Sequence, residues 1–286
     1  MFTFKSDRLM NNFVTRTISA TIYAGLVLGS LLVDSVCFRG YPLLFGVLMM
    51  VVSVLAVREF HSLVGSDMQT QTYAMVGSAL LFTTAYFGFY GDPIWWKLLI
   101  GYVAILLLLL VVQLFRANAN AIESWGNICA GQVMVALPFA LMNGVVSESR
   151  WVMLALFVLI WVNDSGAYIV GSLMAKRKGG NHKMFPRVSP AKSWEGLIGG
   201  FVFDLMAGYV FYRVGWMADM GLCESLLFAF VGGVAGTLGD LMESLFKRTL
   251  GVKDSGNIMP GHGGVLDRFD SLLLAVPVAY FLFILL

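Results

Sequence analysis

Charge is scarce in this 286-residue chain. Asp, Glu, Lys and Arg make up 13% of it, where an ordinary soluble domain carries about 25%. With hydrophobic residues at 58% and mean hydropathy +0.80, the shortage excludes a disordered chain and a water-soluble globule. What remains is a protein whose main solvent is lipid. Cysteine is scarce too: Cys37, Cys129 and Cys223 lie far apart and are odd in number, so there is neither a disulfide framework nor a zinc spacing. Histidine is limited to His61, His182 and His262. A net charge of +2 is too small for a general nucleic-acid binder, so no nucleic-acid partner is expected. The absence of Gly-x-x-x-x-Gly-Lys-Ser/Thr and of His-Glu-x-x-His removes P-loop and zinc-protease chemistry.

What the chain has in quantity is uncharged length. Met68–Gly91 and Ser124–Ser147 contain no Asp, Glu, Lys or Arg, and the shorter runs Gly40–Val57, Leu98–Phe115 and Ser271–Leu286 share that property. A helix needs about 20 mostly apolar residues to cross roughly 30 Å of hydrocarbon. On that basis the chain reads as an all-α polytopic membrane protein with about nine spans, near 17–34, 40–57, 72–91, 96–114, 124–143, 151–171, 195–214, 221–240 and 268–286. Gly91-Asp92-Pro93 punctuates a short hairpin between the third and fourth.

With the N-terminus placed in the cytoplasm, fifteen basic residues fall inside, against Arg39, Lys97, Arg150 and Arg213 outside. Trp95, Trp96, Trp151 and Trp216 then sit at outer ends, as an interfacial belt would. The first span is expected to be a retained helix, and residues 1–13 suit either an interfacial helix or a solvated tail. Residues 1–150 read as a scaffold of about five spans. Residues 151–286 read as the catalytic region, with about four spans, two inner loops at 172–194 and 241–267, and a polar cavity on the cytoplasmic side.

Three stretches of that second half carry polar chemistry. Asn163-Asp164-Ser165-Gly166-Ala167-Tyr168 puts a carboxylate inside a span, where an ionised Asp costs roughly 2.5–3.5 kcal/mol unless it meets a partner or a wet cavity. Next, the basic loop Lys176–Lys183 could hold anionic headgroups and set topology. It is followed by Ser189-Pro190-Ala191-Lys192-Ser193-Trp194-Glu195-Gly196, where hydroxyls and a lysine at a helix start suit a phosphate. Ser193 would make only an incomplete capping box there, because Gly196 stands where Glu or Gln is usual.

The third stretch runs from Gly239 to Asp270. Asp240, Glu243 and Lys247 share a helix face, and Asp267 and Asp270 share another at the entrance of the last span. Carboxylates from two helix ends, beside Gly263, Gly264 and several cations, make a hard-cation site suited to phosphate chemistry, since Mg²⁺ is commonly held by one or two carboxylates plus substrate phosphates. Surface salt bridges are the plainer reading of each pair alone. Asp204 lies in mid-span, outside every motif, with a pore or packing role open to it.

The run Ser244-Leu-Phe-Lys-Arg, then Lys253-Asp254, then Pro260-Gly-His-Gly-Gly-Val-Leu-Asp-Arg-Phe-Asp270 closely resembles the signature of the phosphatidate cytidylyltransferases, or CDP-diacylglycerol synthases. Asp164–Tyr168 with Gly171, Ser189–Gly196 and Gly239-Asp240 fit the same family in order. The likeness covers about residues 160–270, with Met259 and Ser193 as conservative departures, and the first half matches only in hydropathy. The Asp-Gly-x-x-Ala-Arg opening of membrane CDP-alcohol phosphotransferases is missing.

The resemblance implies formation of CDP-diacylglycerol and pyrophosphate from CTP and phosphatidate, dependent on Mg²⁺ with a second cation left open. It also implies a homodimer in a bacterial inner membrane, with the active site facing the cytoplasm. Asp240 and Asp267 would be the metal pair, with Asp270 or Glu243 as further ligands. Lys192, Lys247, Arg248, Lys253 and Arg268 would hold phosphates, and His262 would touch a phosphate, protonate the leaving group or order its loop. Gly263 and Gly264 would admit an anion to backbone N–H groups, Asp164 would line the cavity or orient a cation, and Ser189, Ser193, Glu195 and Asp254 belong to the substrate site by motif. The rivals are a CTP-dependent kinase of a membrane lipid alcohol and a cation-coupled transporter using Asp164, Asp204 and Asp240.

Overall fold

The computed structural model describes residues 3–33, 42–115, 120–177, 180–217, 220–259 and 263–285, with side chains described from residue 17 onward. The chain is all-α apart from one hairpin. Its elements are α1 Thr3–Val33, α2 Leu43–Leu63, α3 Met68–Phe89, α4 Trp95–Val112, α5 Ala121–Ala130, α6 Leu137–Glu148, α7 Arg150–Ala175, β1 Lys183–Phe185, β2 Ser189–Ser193, α8 Trp194–Arg213, α9 Leu222–Thr249, α10 Leu266–Phe269 and α11 Leu272–Leu285. A π turn, Gly131–Ala136, joins α5 to α6.

Among the described residues, seven helical stretches are long and apolar enough to cross a membrane: Leu43–Leu63, Trp95–Phe115, Ala121–Glu148, Arg150–Ala175, Trp194–Arg213, Leu222–Thr249 and Leu266–Leu285. The chain is thus read as an integral membrane protein. The expected count of nine is reduced to seven. The two other expected spans are helices: α1, whose apolar part Thr17–Val33 is shorter, and α3, which carries Gln69, Thr70, Gln71 and Thr72 in its first turns. The short connection at Gly91 is present as expected.

The chain divides into two compact units, Met1–Ala140 with Asp254–Phe269, and Leu141–Lys253 with Asp270–Leu286. In the first unit, α2 packs on α3 and α3 on α4. Close approach and internal polar pairing hold these helices together, as expected where lipid removes the hydrophobic drive between helices. Gly46 lies under the Tyr86 ring, Ser53 and Ser78 share a 2.8 Å hydrogen bond, and Gln132 Nε2 donates to the Ala74 carbonyl at 3.1 Å.

In the second unit, α7 packs on α8, α8 on α9 and α9 on α11. Small residues make the α7–α8 contact: Gly166 meets Phe203, Gly199 meets Val170, and Gly200 meets Asn163. At one end of this unit Trp216 stacks on both Trp151 and Phe211, with ring centroids 5.9 and 5.3 Å apart. The opposite end carries the antiparallel β1–β2 hairpin, with Lys183 opposite Ser193.

Both loops expected on the inner side are shorter than expected. Residues 172–175 finish α7, and the hairpin occupies much of the rest up to Ser193. The loop expected at 241–267 begins only after Thr249, because apolar Leu241, Leu245 and Phe246 alternate with the Glu243–Lys247 pair and prolong α9. Lys247 and Arg248 in its last turn complement the helix dipole. Gly251, at φ 71°, ends it in a left-handed turn in which Val252 N–H reaches the Lys247 carbonyl.

A Cβ at Gly199 would collide with the branched Val170 side chain rather than with a flexible tip. Gly199→Val is therefore expected to cost about 1–3 kcal/mol through overpacking, read as a lower apparent Tm of the detergent-solubilised protein. An unchanged Tm would show that α7 and α8 have slack.

Candidate functional site

A cavity of about 350 Å³ opens in the second unit where α7, the hairpin, α8 and α9 converge. Asn163, Asp164, Tyr168 and Gly171 line it from α7, Lys183 and Lys192 from the hairpin, Ser193 and Gly196 from the start of α8, and Thr237 from α9. Its volume lies in the range of small-ligand sites. Its wall joins apolar helix surface to two lysines and a carboxylate, which suits an amphiphile with an anionic head.

The expected charges gather beside this cavity. Lys192 Nζ lies 2.5 Å from Asp240 Oδ2, which unites the serine–lysine stretch with the Gly239-Asp240 stretch. The Ser244 hydroxyl, one turn on, donates to Asp240 Oδ1 at 3.2 Å. Glu243 and Lys247 form a buried ion pair at 2.5 Å, so the carboxylate expected as a further metal ligand is already neutralised by lysine. Gly239 touches the backbone of Asp270 and Ser271, and only a residue without a side chain permits that crossing. The crossing brings Asp270 under the electrostatic influence of Asp240, Asp164 and Lys247. Arg248 Nε donates to the Val188 carbonyl at 3.3 Å and so ties α9 to the hairpin.

Other expected site residues hold the scaffold. Ser193 caps α8 by accepting from Gly196 N–H at 3.2 Å, despite the missing acid at the third position. Glu195 accepts from His182 N–H and meets His182 Nδ1 at 2.6 Å, so its carboxylate clamps the hairpin to the helix. Ser189, opposite Phe185, starts β2, and Lys253 is exposed.

In the first unit, Asp267 is buried, and its Oδ2 accepts from Ser255 N–H at 2.9 Å and Gly264 N–H at 2.8 Å. The anion to which Gly264 offers its N–H is thus the chain's own carboxylate. Gly263, at φ 85°, also packs on Asp267. Asp254 and Arg268 are exposed. The shared face expected for Asp267 and Asp270 is interrupted, since α10 ends at Phe269 and α11 starts at Leu272. His262 lies outside the described residues.

Among the described residues no three His, Cys, Asp or Glu side chains gather closely enough to hold a metal ion by themselves. A pair of carboxylates does fit a hard cation that takes its other ligands from substrate phosphates. Asp240 and Asp270 both belong to the second unit and offer oxygen donors, Gly239 lies against the Asp270 backbone, and a lysine ammonium rests against Asp240.

Two polar residues make contacts that the sequence did not specify. Glu59, in the half read as scaffold, is buried in α2 and accepts from Val265 and Leu266 N–H, each at 2.9 Å. A lone acid at the end of an uncharged run was the available signal. The other is Asn163, at the cavity wall: its Nδ2 donates to the fully buried Asp204 at 2.6 Å, and its Oδ1 accepts from Thr237 at 3.3 Å. Gly233 leaves the room that Asp204 occupies. Asp204 thus serves packing and positioning.

Fold and site together define an integral membrane protein with a lysine- and carboxylate-lined cavity at one end of a helical unit. The profile of the cytidylyltransferase family matches residues 14–286, and the chain belongs to that family. It is similar to the phosphatidate cytidylyltransferase of Bacillus subtilis, 39% identical over 189 residues that cover 65% of this chain and 68% of that one. The phosphatidate cytidylyltransferase of Haemophilus influenzae is 44% identical over 140 residues, 48% of this chain and 47% of that one. That of Staphylococcus haemolyticus is 44% identical over 139 residues, 48% and 51%. The matched stretch thus spans about half the length of the last two relatives.

Asp204→Asn keeps an oxygen that can accept from Asn163 and is expected to retain most stability and activity. Asp204→Leu leaves the Asn163 amide unpaired in a buried place, at a cost of about 1–3 kcal/mol. Thermal unfolding of both variants checks this: equal losses would mean that the Asn163 contact is immaterial.

Proposed function

We propose that this protein transfers the cytidylyl group of CTP to phosphatidate, giving CDP-diacylglycerol and pyrophosphate. The observation that carries the reading is the Lys192–Asp240 contact at the cavity wall, where two separate signature stretches meet. Names of relatives that match 48–65% of this chain support the same substrates.

In the reaction, an oxygen of the phosphatidate phosphate attacks the α-phosphorus of CTP, the bond from that phosphorus to the bridging oxygen breaks, and pyrophosphate leaves with the electron pair. A phosphate dianion is nucleophilic enough without a general base. The difficulty is to bring two anions into line, so catalysis rests on positioning and charge neutralisation. Mg²⁺, when bound, would supply the positive charge that offsets the phosphates and the charge developing on pyrophosphate. Asp240 and Asp267 would hold it as the pair that the resemblance implies, with Asp270 as a further ligand; Glu243, paired with Lys247, is set aside.

Lys192, which rests against Asp240, and Lys183 both stand in the cavity wall, where their ammonium groups would meet a substrate phosphate. Lys247 neutralises Glu243 and acts on Asp270, so it lowers the cost of crowding carboxylates beside the cavity. Arg248 orders the hairpin that carries Lys192. The apolar wall of the cavity lets acyl chains stay in lipid while the head enters. By the distribution of lysine and arginine, the hairpin end faces the cytoplasm of a bacterial inner membrane. A homodimer follows from the family resemblance and is read by mass photometry.

The deciding experiment gives purified protein CTP, Mg²⁺ and phosphatidate and scores nucleotide and lipid products together. Pyrophosphate with CDP-diacylglycerol supports the reading. CDP with a phosphorylated lipid alcohol replaces it with the kinase, and ion flux in proteoliposomes without CTP turnover replaces it with the transporter. Asp240→Asn and Asp267→Asn should each lower turnover by about a hundredfold or more while the protein inserts and purifies normally. Wild-type turnover in either variant removes that carboxylate from the metal site.

A further inference from the structure

Glu59 comes from the N-terminal half, about two hundred residues away in sequence from the groups it holds. Both belong to the first compact unit. Its Oε1 accepts from Val265 N–H and its Oε2 from Leu266 N–H, while the Ser255 hydroxyl donates to Oε2 at 3.2 Å. Ser255 is shared: its N–H goes to Asp267 and its hydroxyl to Glu59. The limb at Ser255 and the limb at Gly264–Leu266 are therefore stitched together by two buried carboxylates.

The packing is specific to these residue types. A Cβ at Gly256 would press on Glu59 Oε1, and one at Gly264 would collide with Glu59 and Ser255. A buried carboxylate without partners is costly, but three donors answer this one. Glu59 lines none of the cavity of the second unit. Its role therefore runs through the backbone it grips.

We propose that Glu59 is a positioning residue of the reaction. By fixing the N–H groups of Val265 and Leu266 and the hydroxyl of Ser255, it sets the place of Asp267, whose own oxygen is held by the same two limbs. The inference rests on the reading of Asp267 given under the proposed function, and goes beyond it by assigning a role to a residue of the half that the sequence presents as scaffold.

The test uses the full chain in lipid nanodiscs, with hydrogen–deuterium exchange and steady-state kinetics on wild type, Glu59→Gln and Ser255→Ala. A glutamine has one acceptor oxygen where two are needed. Exchange should quicken at Ser255–Gly256 and Gly263–Asp267 while α3 and α4 stay protected. A misplacement of about 1 Å can cost about a hundredfold, so kcat should fall at least about tenfold, with KM for CTP changed by less than about threefold. Ser255→Ala, which removes one of the three donors, should fall between.

Wild-type exchange and kcat in Glu59→Gln would overturn the proposal. So would faster exchange spread over the whole first unit, which marks a general loss of stability. Should Glu59→Gln fail to purify, Ser255→Ala decides, and wild-type exchange and turnover there would overturn the proposal. Should wild type itself transfer no cytidylyl group, the proposed function fails, and the exchange arm alone then decides whether Glu59 sets the place of Asp267.

Discussion

A carboxylate sequestered from water must have its charge answered, and in this protein two kinds of partner do so. In the second unit the answers are ammonium groups: Lys192 lies against Asp240, and Lys247 against Glu243. In the first unit the answers are neutral donors, with backbone N–H groups and a serine hydroxyl converging on Glu59 and backbone N–H groups on Asp267. The rest of the site depends on these pairings, because insertion into lipid makes an unanswered charge too expensive to keep.

The two kinds of partner differ in what they allow. A lysine is a flexible point charge, so a carboxylate paired with it can exchange that partner for another cation, and the lysine can swing to an anion. Backbone donors cannot leave without unfolding a turn. On the proposed function, Asp240 would be the carboxylate that exchanges partners, while backbone N–H groups hold Asp267. Phosphoryl-group chemistry needs both properties, since charges must be redistributed while the reacting atoms stay in line.

Much of this was legible in advance, for a physical reason. Runs without charge long enough to cross hydrocarbon leave few alternatives, and among the described residues each of the nine expected stretches falls on helix, although α1 and α3 fall short in apolar length or composition. Spacing placed Asp240 and Glu243 on α9 and Lys192 beside a helix start, but not the contact between Lys192 and Asp240, which needs the fold of the hairpin. That hairpin was invisible because Lys183–Phe185 and Ser189–Ser193 are short, partly exposed and without strand alternation. The end of α9 was misplaced because charged residues looked like loop, whereas an i, i+4 ion pair prolongs a helix. Glu59 gave least warning of all: a single acid has no spacing to read, and two of its three partners are backbone N–H groups that carry no mark of residue type.

The grip of Glu59 also limits how modular the protein is. Residues 254–269 fold with the N-terminal unit rather than with the helices that precede them. A chimera that took the reactive C-terminal half from this chain and its membrane scaffold from an unrelated one would carry the whole signature, yet present Val265 and Leu266 to a helix with no acid to receive them. Exchange of parts between relatives is expected to succeed only where the chain that supplies the scaffold brings that glutamate.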